Sequence, residues 1–334
     1  MDWTEPGTEE VAPGVHRIPL PMPNDGLRAV NVYAILGPAG VVLIDGGWRV
    51  AAAADALNDA LSGLGLTAAE VGRCLVTHHH RDHLSLAVQL RRESGVRLGL
   101  GAGERGNLEI ARSITYEPLA TQLRLLAAAG AEPLVKQLTG DGSHSVDPVD
   151  YEDPDDWLAD AQVVEAADRR LRVVSTPGHT RGHVVYVDDA ADLMFTGDHV
   201  LPHITPSIGF EADQAPSPLA DYLASLARTL AEPDRLMLPA HGPAGGSVHA
   251  RTVELLEHHE TRLSRTRAAV RDGAATAYQA ARALRWTRRG RHLDELDPLN
   301  QMLAVIETAA HLQVLHAQGR IGRRTEGAVA VWSP

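Results

Sequence analysis

His78, His80, Asp82 and His83 crowd four metal-ligand side chains into six residues, within Thr77-His78-His79-His80-Arg81-Asp82-His83. The apolar run Cys74-Leu75-Val76 precedes them, and Leu84 opens a helix-like stretch that ends near Arg92, so the cluster reads as a loop leaving a strand end. Packing alone gives no reason to place these groups there, because desolvating them without a partner is costly. Imidazole is the commonest neutral transition-metal ligand, and borderline-soft ions such as zinc accept mixed nitrogen and carboxylate shells. Four such groups cannot all face one ion comfortably, whereas two neighbouring ions can share them. Alternation along the loop turns His79 away from His78 and His80, as an outward-pointing spacer.

Further candidates follow in order. Val41-Val42-Leu43-Ile44-Asp45-Gly46-Gly47 is a strand ending in Asp and Gly; after the cluster come Thr176-Pro177-Gly178-His179-Thr180, Phe195-Thr196-Gly197-Asp198 and Leu238-Pro239-Ala240-His241-Gly242. With these five motifs over about residues 14–250, the sequence resembles the metallo-β-lactamase-fold hydrolase superfamily. The resemblance implies an αββα sandwich and assigns His78, His80 and His179 to a first metal. It assigns Asp82, His83 and His241 to a second, with Asp198 bridging. Asp45 is similar to the family's buried acid that braces the metal loop. Ser85 stands where many relatives have glycine, a departure that leaves the ligands intact. His183 and Trp48 are the further candidates for supporting the ligands or touching substrate.

The only cysteine, Cys74, lies inside the strand before the cluster. The cysteine ligand of one major antibiotic-hydrolysing branch therefore has no candidate, and Asp198 takes the bridging place. That pattern is similar to glyoxalase II, lactonases and related thioester or phosphodiester hydrolases. The resemblance implies two divalent ions, zinc first with manganese or iron as alternatives, and a metal-activated hydroxide that attacks a small acyl substrate. Asp82 would orient the hydroxide and relay its proton. A thioester is the first expectation; lactones, single-stranded RNA and a mononuclear iron oxygenase reaction are the alternatives, and the intact ligand set argues against the last.

Composition narrows the partners. Residues 251–334 carry 13 Arg against 9 acids, a net of +4, which leaves −16 for residues 1–250 out of the whole-chain −12. A nucleic-acid track needs clustered basic residues, and single-strand binders add aromatic platforms, yet aromatics are only 4% of the chain. Composition thus disfavours nucleic acid as partner, while the resemblance implies a small acyl molecule. The start, Met1-Asp2-Trp3-Thr4-Glu5-Pro6, lacks a basic segment followed by an apolar one, and no apolar run approaches membrane-spanning length. With a single cysteine, these features fit a cytoplasmic protein without a membrane anchor.

Short aliphatic runs alternate with helix-like stretches. Strands are expected over 30–36, 41–44, 73–76, 96–100, 171–175, 183–187, 193–195 and 235–238, and helices over 50–61 and 218–230. An insertion of about 104–160 begins with helical spacing, which would form a lid or pocket wall with Tyr116 or Trp157 as contacts. It ends in 141–160 with eight acids and no Arg or Lys, the pattern of a solvated loop. The catalytic domain is expected over 1–250. Residues 251–334 are expected to form a second, helical domain, with helices over 253–270, 276–284 and 298–315 and a hairpin over 320–331, an order similar to the winged-helix-like module appended to one subgroup of the family. Thr276 is the expected N-cap and His311 a packing residue, and the domain serves packing or a homodimer contact.

Overall fold

The computed structural model describes residues 2–22, 26–38, 40–113, 117, 119–139, 147–287 and 289–334. Tyr116 and residues 141–146 lie outside them. Two sheets form its centre. The first follows chain order through β1 (Glu9–Ala12), β2 (Val15–Pro21), β3 (Ala29–Gly37), β4 (Gly40–Ile44), β5 (Val71–Val76), β6 (Arg97–Gly101) and β7 (Asp156–Leu158). It is antiparallel as far as β4 and parallel from β4 to β7. The second consists of β8 (Val163–Ala166), β9 (Arg169–Ser175), β10 (Val184–Asp188), β11 (Leu193–Gly197) and β12 (Leu236–Pro239), in the order β12-β11-β10-β9-β8.

Period-two alternation explains the layering. Val42 and Ile44 of β4, Leu75 of β5, Leu171 and Val173 of β9, and Val184 and Tyr186 of β10 share one core between the sheets. Tyr33 and Phe195 meet edge to face across it at 5.4 Å. Val41, Leu43, Cys74 and Val76 point the other way, under α1 (Ala51–Gly63) and α2 (Arg81–Ser94). Val174, Val185, Val187 and Met194 likewise leave the second sheet on its outer face, under helices. The result is the αββα sandwich, with a helical region after residue 248.

After α3 (Arg105–Ala111), the outer layer on the second sheet gathers α4 (Ala120–Ala128), α5 (Glu132–Thr139), α6 (Pro218–Ala231), α7 (Val248–Arg271), α8 (Ala277–Ala283) and α9 (Pro298–Ala317). Leu126 and Leu134, Tyr222 and Leu226, and Leu255 with Met302 and Val305 belong to one apolar cluster. The helical half of the insertion therefore packs on α9 in this layer. Thr276 caps α8 by accepting from the Gln279 amide, and the chain closes with the hairpin of β13 (Gly322–Glu326) and β14 (Val329–Ser333). No described helix is long and apolar enough to cross a membrane.

From Asp147 onward, the acidic run departs from a solvated loop. Asp150 is buried and accepts from Arg49 Nε at 2.5 Å and Arg81 Nε at 3.1 Å. Glu152 pairs with Arg91 and Arg92, Asp156 with Arg73 and Arg97, and Asp160 with Arg228. The segment is an ion-pair belt whose arginines are scattered through the sequence.

Candidate metal centre

The ligand-bearing loops leave the sandwich at one edge. Asp45 directly follows β4 and adopts a left-handed backbone with φ 60°. Gly46 follows where an added Cβ would lie 2.5 Å from that of Ala87, so only glycine lets this turn sit against α2. The turn aims the Asp45 carboxylate under the next loop. Its Oδ1 accepts from the Thr77 amide at 2.7 Å, and its Oδ2 accepts from His83 Nδ1 at 2.9 Å. His78 and His80 lie between β5 and α2, Asp82 and His83 in the first turn of α2, His179 between β9 and β10, Asp198 just past β11, and His241 just past β12.

All seven candidate side chains converge. His78 Nε2, His80 Nδ1 and His179 Nε2 form a triangle with edges of 2.9, 3.1 and 3.3 Å. Nitrogens bound at 2.0–2.1 Å to one tetrahedral ion stand roughly 3.3 Å apart, so the triangle has the size of a face around one cation. Asp82 Oδ2 lies 3.4 Å from His83 Nε2 and 3.3 Å from His241 Nε2, which makes a second pocket. Asp198 faces both: Oδ2 is 3.5 Å from His179 Nε2, while Oδ1 is 3.5 Å from His241 Nε2 and 3.7 Å from His83 Nε2. His78, His83 and Asp198 also lie close enough to serve one ion.

Hydrogen bonds behind the rings fix which nitrogen carries its lone pair inward. The carbonyls of Ser207 and Ala29 can only accept, so His179 and His241 donate Nδ1–H to them, at 2.7 and 2.8 Å, and leave Nε2 bare. The Asp45 carboxylate does the same for His83. His83 Nε2, His241 Nε2 and Asp198 Oδ1 are buried with no hydrogen-bond partner among the described residues. Orphaned acceptors that face one another are costly until a cation fills the space between them, so the donor set fits metal ions.

Electrostatics separate the two pockets. Burial, followed by the neighbouring imidazoles, holds His78 and His80 well below the ordinary histidine range, which keeps them neutral. Burial also disfavours charge on His83, but the Asp82 and Asp45 carboxylates outweigh it and hold the ring well above that range. Without a cation between the carboxylates, the second pocket thus draws a proton onto His83 Nε2, and a metal ion would take that proton's place.

His183 is wholly buried beneath the site. The Asp198 amide donates to its Nε2 at 3.1 Å, so Nδ1 bears the proton and donates to Thr176 Oγ1 at 2.8 Å. It braces the Asp198 turn and is out of reach of a substrate. Trp48 is half-buried, with the Arg81 guanidinium 5.0 Å above its ring, and Trp157 lies under Arg105 at the end of the first sheet. Ser85 accepts from the Arg49 amide and donates to the Arg81 carbonyl, within α2 and clear of the ligands.

His79 turns away from the ligands as expected, but it is buried rather than outward-pointing and pairs with Glu104 at 2.7 Å. Glu104 and nearby Glu211 were not legible as site residues, since both sit in segments without ligand motifs. Glu211 Oε2 accepts from Asn107 Nδ2 and the Arg181 amide, both at 2.8 Å, and Oε1 is buried without a partner among the described residues. Burial pushes its carboxyl up from 4.5 to about 7. A carboxyl raised on folding stabilises the fold fully below its unfolded value and loses that contribution as pH rises through the folded one. Between pH 5 and 8, Glu211→Gln should therefore gain on the wild type by on the order of 3 kcal/mol. Denaturant midpoints of both proteins in one metal state measure the difference, and parallel pH dependences would refute it.

The profile of the Metallo-beta-lactamase superfamily matches residues 25–241. The probable metallo-hydrolase YqjP of Bacillus subtilis (strain 168) is 24% identical over 330 residues, which cover 93% of this chain and 94% of that one. A metallo-beta-lactamase family protein of Thermus thermophilus superposes with a TM-score of 0.79 at 29% identity, covering 97% of this chain and 99% of that one. A beta-lactamase domain protein of Burkholderia ambifaria gives 0.81 at 29% identity, covering 98% and 94%. With the two pockets at the loop edge of the sandwich and a family profile that spans them, the chain belongs to the metallo-beta-lactamase superfamily.

Proposed function

We propose that the protein is a dinuclear metal-dependent hydrolase of the glyoxalase II-like kind, acting on a small activated acyl substrate, a thioester first. One observation carries the reading: two pockets of ligand-type atoms share Asp198, each of whose oxygens faces a different pocket. His78, His80 and His179 would hold one ion, and Asp82, His83 and His241 the other. Zinc suits the nitrogen and carboxylate donors, with manganese or iron as alternatives. Such a pair, when bound, acidifies a water and polarises the scissile carbonyl. The likeness to a relative described as a probable metallo-hydrolase supports the same chemistry.

The chain's own groups do the positioning. Asp82 enters from the first turn of α2 with its side chain 16% exposed, against 0–3% for His83, His179 and His241 and 10% for Asp198, which leaves it open to substrate. It orients the attacking water and passes the proton to the leaving group. Thiolates and ring alkoxides depart more readily than amide nitrogen, which favours thioesters, with lactones next. The net −16 of residues 1–250 disfavours RNA as substrate. Residues 1–250 are the catalytic part in this reading, and α7–α9 with the β13–β14 hairpin form a winged-helix-like addition.

Thiol release from a panel of acyl-coenzyme A and acyl-glutathione thioesters tests the proposal, using metal-loaded protein. Asp82→Ala should slow release by on the order of 10²-fold or more. Full metal occupancy without release from any member would remove the thioester reading and make lactones and single-stranded RNA the next substrates.

A further inference from the structure

We propose that Glu104 is a positioning residue for the three-histidine pocket, because its carboxylate ties the loop carrying His78 and His80 to the loop carrying His179. The inference rests on the reading above that this pocket holds an ion. Glu104 is fully buried. Its Oε2 accepts from His79 Nδ1 at 2.7 Å, and its Oε1 accepts from the Thr180 hydroxyl. One carboxylate thus grips the residue between two ligands of the first loop and the residue beside the ligand of the second.

The surroundings keep it in place. Asn107 Nδ2 donates to Glu104 Oε2 at 3.1 Å and to Glu211 Oε2 at 2.8 Å, while Asn107 Oδ1 accepts from the Asp213 amide at 2.9 Å. Glu211 takes the Arg181 amide, which adds a second hold on the His179 loop. Backbones also meet here. A Cβ on Gly182 would lie 2.1 Å from the Glu104 amide nitrogen, and one on Gly101 would lie 2.1 Å from the Gly182 carbonyl oxygen. The segment after β6 is a strut with no room for a side chain between it and the His179 loop.

The pocket needs such a strut because of His80. His83, His179 and His241 are each oriented by a partner on Nδ1, but His80 presents Nδ1 to the pocket and its Nε2 is buried without a partner among the described residues. No hydrogen bond aims the His80 ring from behind, so its direction depends on the backbone that His79 anchors to Glu104. Two buried carboxylates then back the site: Asp45 holds His83 and, through Thr77, His78, while Glu104 ties the His80 and His179 loops of the three-histidine pocket.

Stepwise Co²⁺ titration tests this, followed by visible absorption and by the hyperfine-shifted imidazole signals that distinguish a three-histidine pocket from a two-histidine one. Glu104→Ala should weaken the three-histidine pocket roughly 10–100-fold and leave the other near wild type. Glu104→Gln keeps acceptor capacity and should restore part of the loss. Thr180→Val deletes one arm of the grip, should show the same selectivity at smaller size, and decides the matter if Glu104→Ala does not fold. Amide exchange of metal-free protein supplies a second readout: peptides covering residues 77–83 and 178–182 should both exchange faster in the variants. If wild type takes up only one ion or none, the dinuclear reading fails, while the exchange comparison still decides the role of Glu104. Unchanged affinities and unchanged exchange in Glu104→Ala and Thr180→Val would overturn the proposal.

Discussion

Asp198→Ala should lower turnover by at least 10²–10³-fold and leave the protein with fewer than two tightly held ions. Among the described residues, Asp198 is the side chain whose two oxygens face different pockets, at 3.5 Å from His179 Nε2 on one side and 3.5 Å from His241 Nε2 on the other. Its removal would take an oxygen donor from both pockets at once and delete the negative charge that would offset repulsion between two bound cations. The fold should survive, because the turn is held by the Asp198 amide on His183 rather than by the carboxylate. Metal content and turnover measured on one sample give the answer. Two retained ions with wild-type rates would show that Asp198 does not link the pockets.

Asp45→Asn should be nearly as damaging to activity, for a different reason. The wild-type carboxylate only accepts, from Thr77 and from His83 Nδ1–H. An asparagine can still accept from the Thr77 amide through its oxygen, but its NH2 then faces His83 Nδ1. The ring relieves that clash by moving its proton to Nε2, the atom that should face the metal. The protein folds with the wrong histidine tautomer, and a loss on the order of 10²–10⁴-fold in kcat is expected, as when a triad aspartate is made asparagine. Asp45→Ala instead strands buried donors and should cost about 3–5 kcal/mol of stability. NMR of the His83 ring nitrogens would report the tautomer directly. Wild-type protonation at Nε2 together with wild-type turnover in Asp45→Asn would contradict this account.

Much of the sandwich was legible because its strands alternate between two apolar environments, as β4, β9 and β10 do. The strand β2 was not. Pro19 and Pro21 interrupt its pattern, and they are tolerated because β1 pairs only with Val15–Arg17, leaving the rest of that edge open. The candidate ligands could be read from short motifs, since each comes soon after a strand end. What lies behind the ligands could not. The acceptors for His179 and His241 are backbone carbonyls of Ser207 and Ala29, which any residue supplies. Glu104 reaches His79 across 25 positions, and the arginines that neutralise the acidic run come from several elements. Short-range patterns carry strand and ligand identity, whereas long-range pairing of charges leaves no local trace.

The loop that supplies the Ser207 carbonyl to His179 is steadied from the far end of the chain. Arg251 Nε donates to the Leu201 carbonyl at 2.6 Å, and a Cβ on Gly209 would meet Ile306 of α9 at 2.8 Å. On a ribosome the last candidate ligand, His241, is made 65 residues before Ile306. At 5–20 residues per second, the nascent chain spends roughly 3–13 s with every candidate ligand synthesised but the wall behind His179 still missing. Metal capture in the final geometry would therefore wait until α9 has been made, and a chain stalled before it would carry the candidate ligands without the mould that sets them.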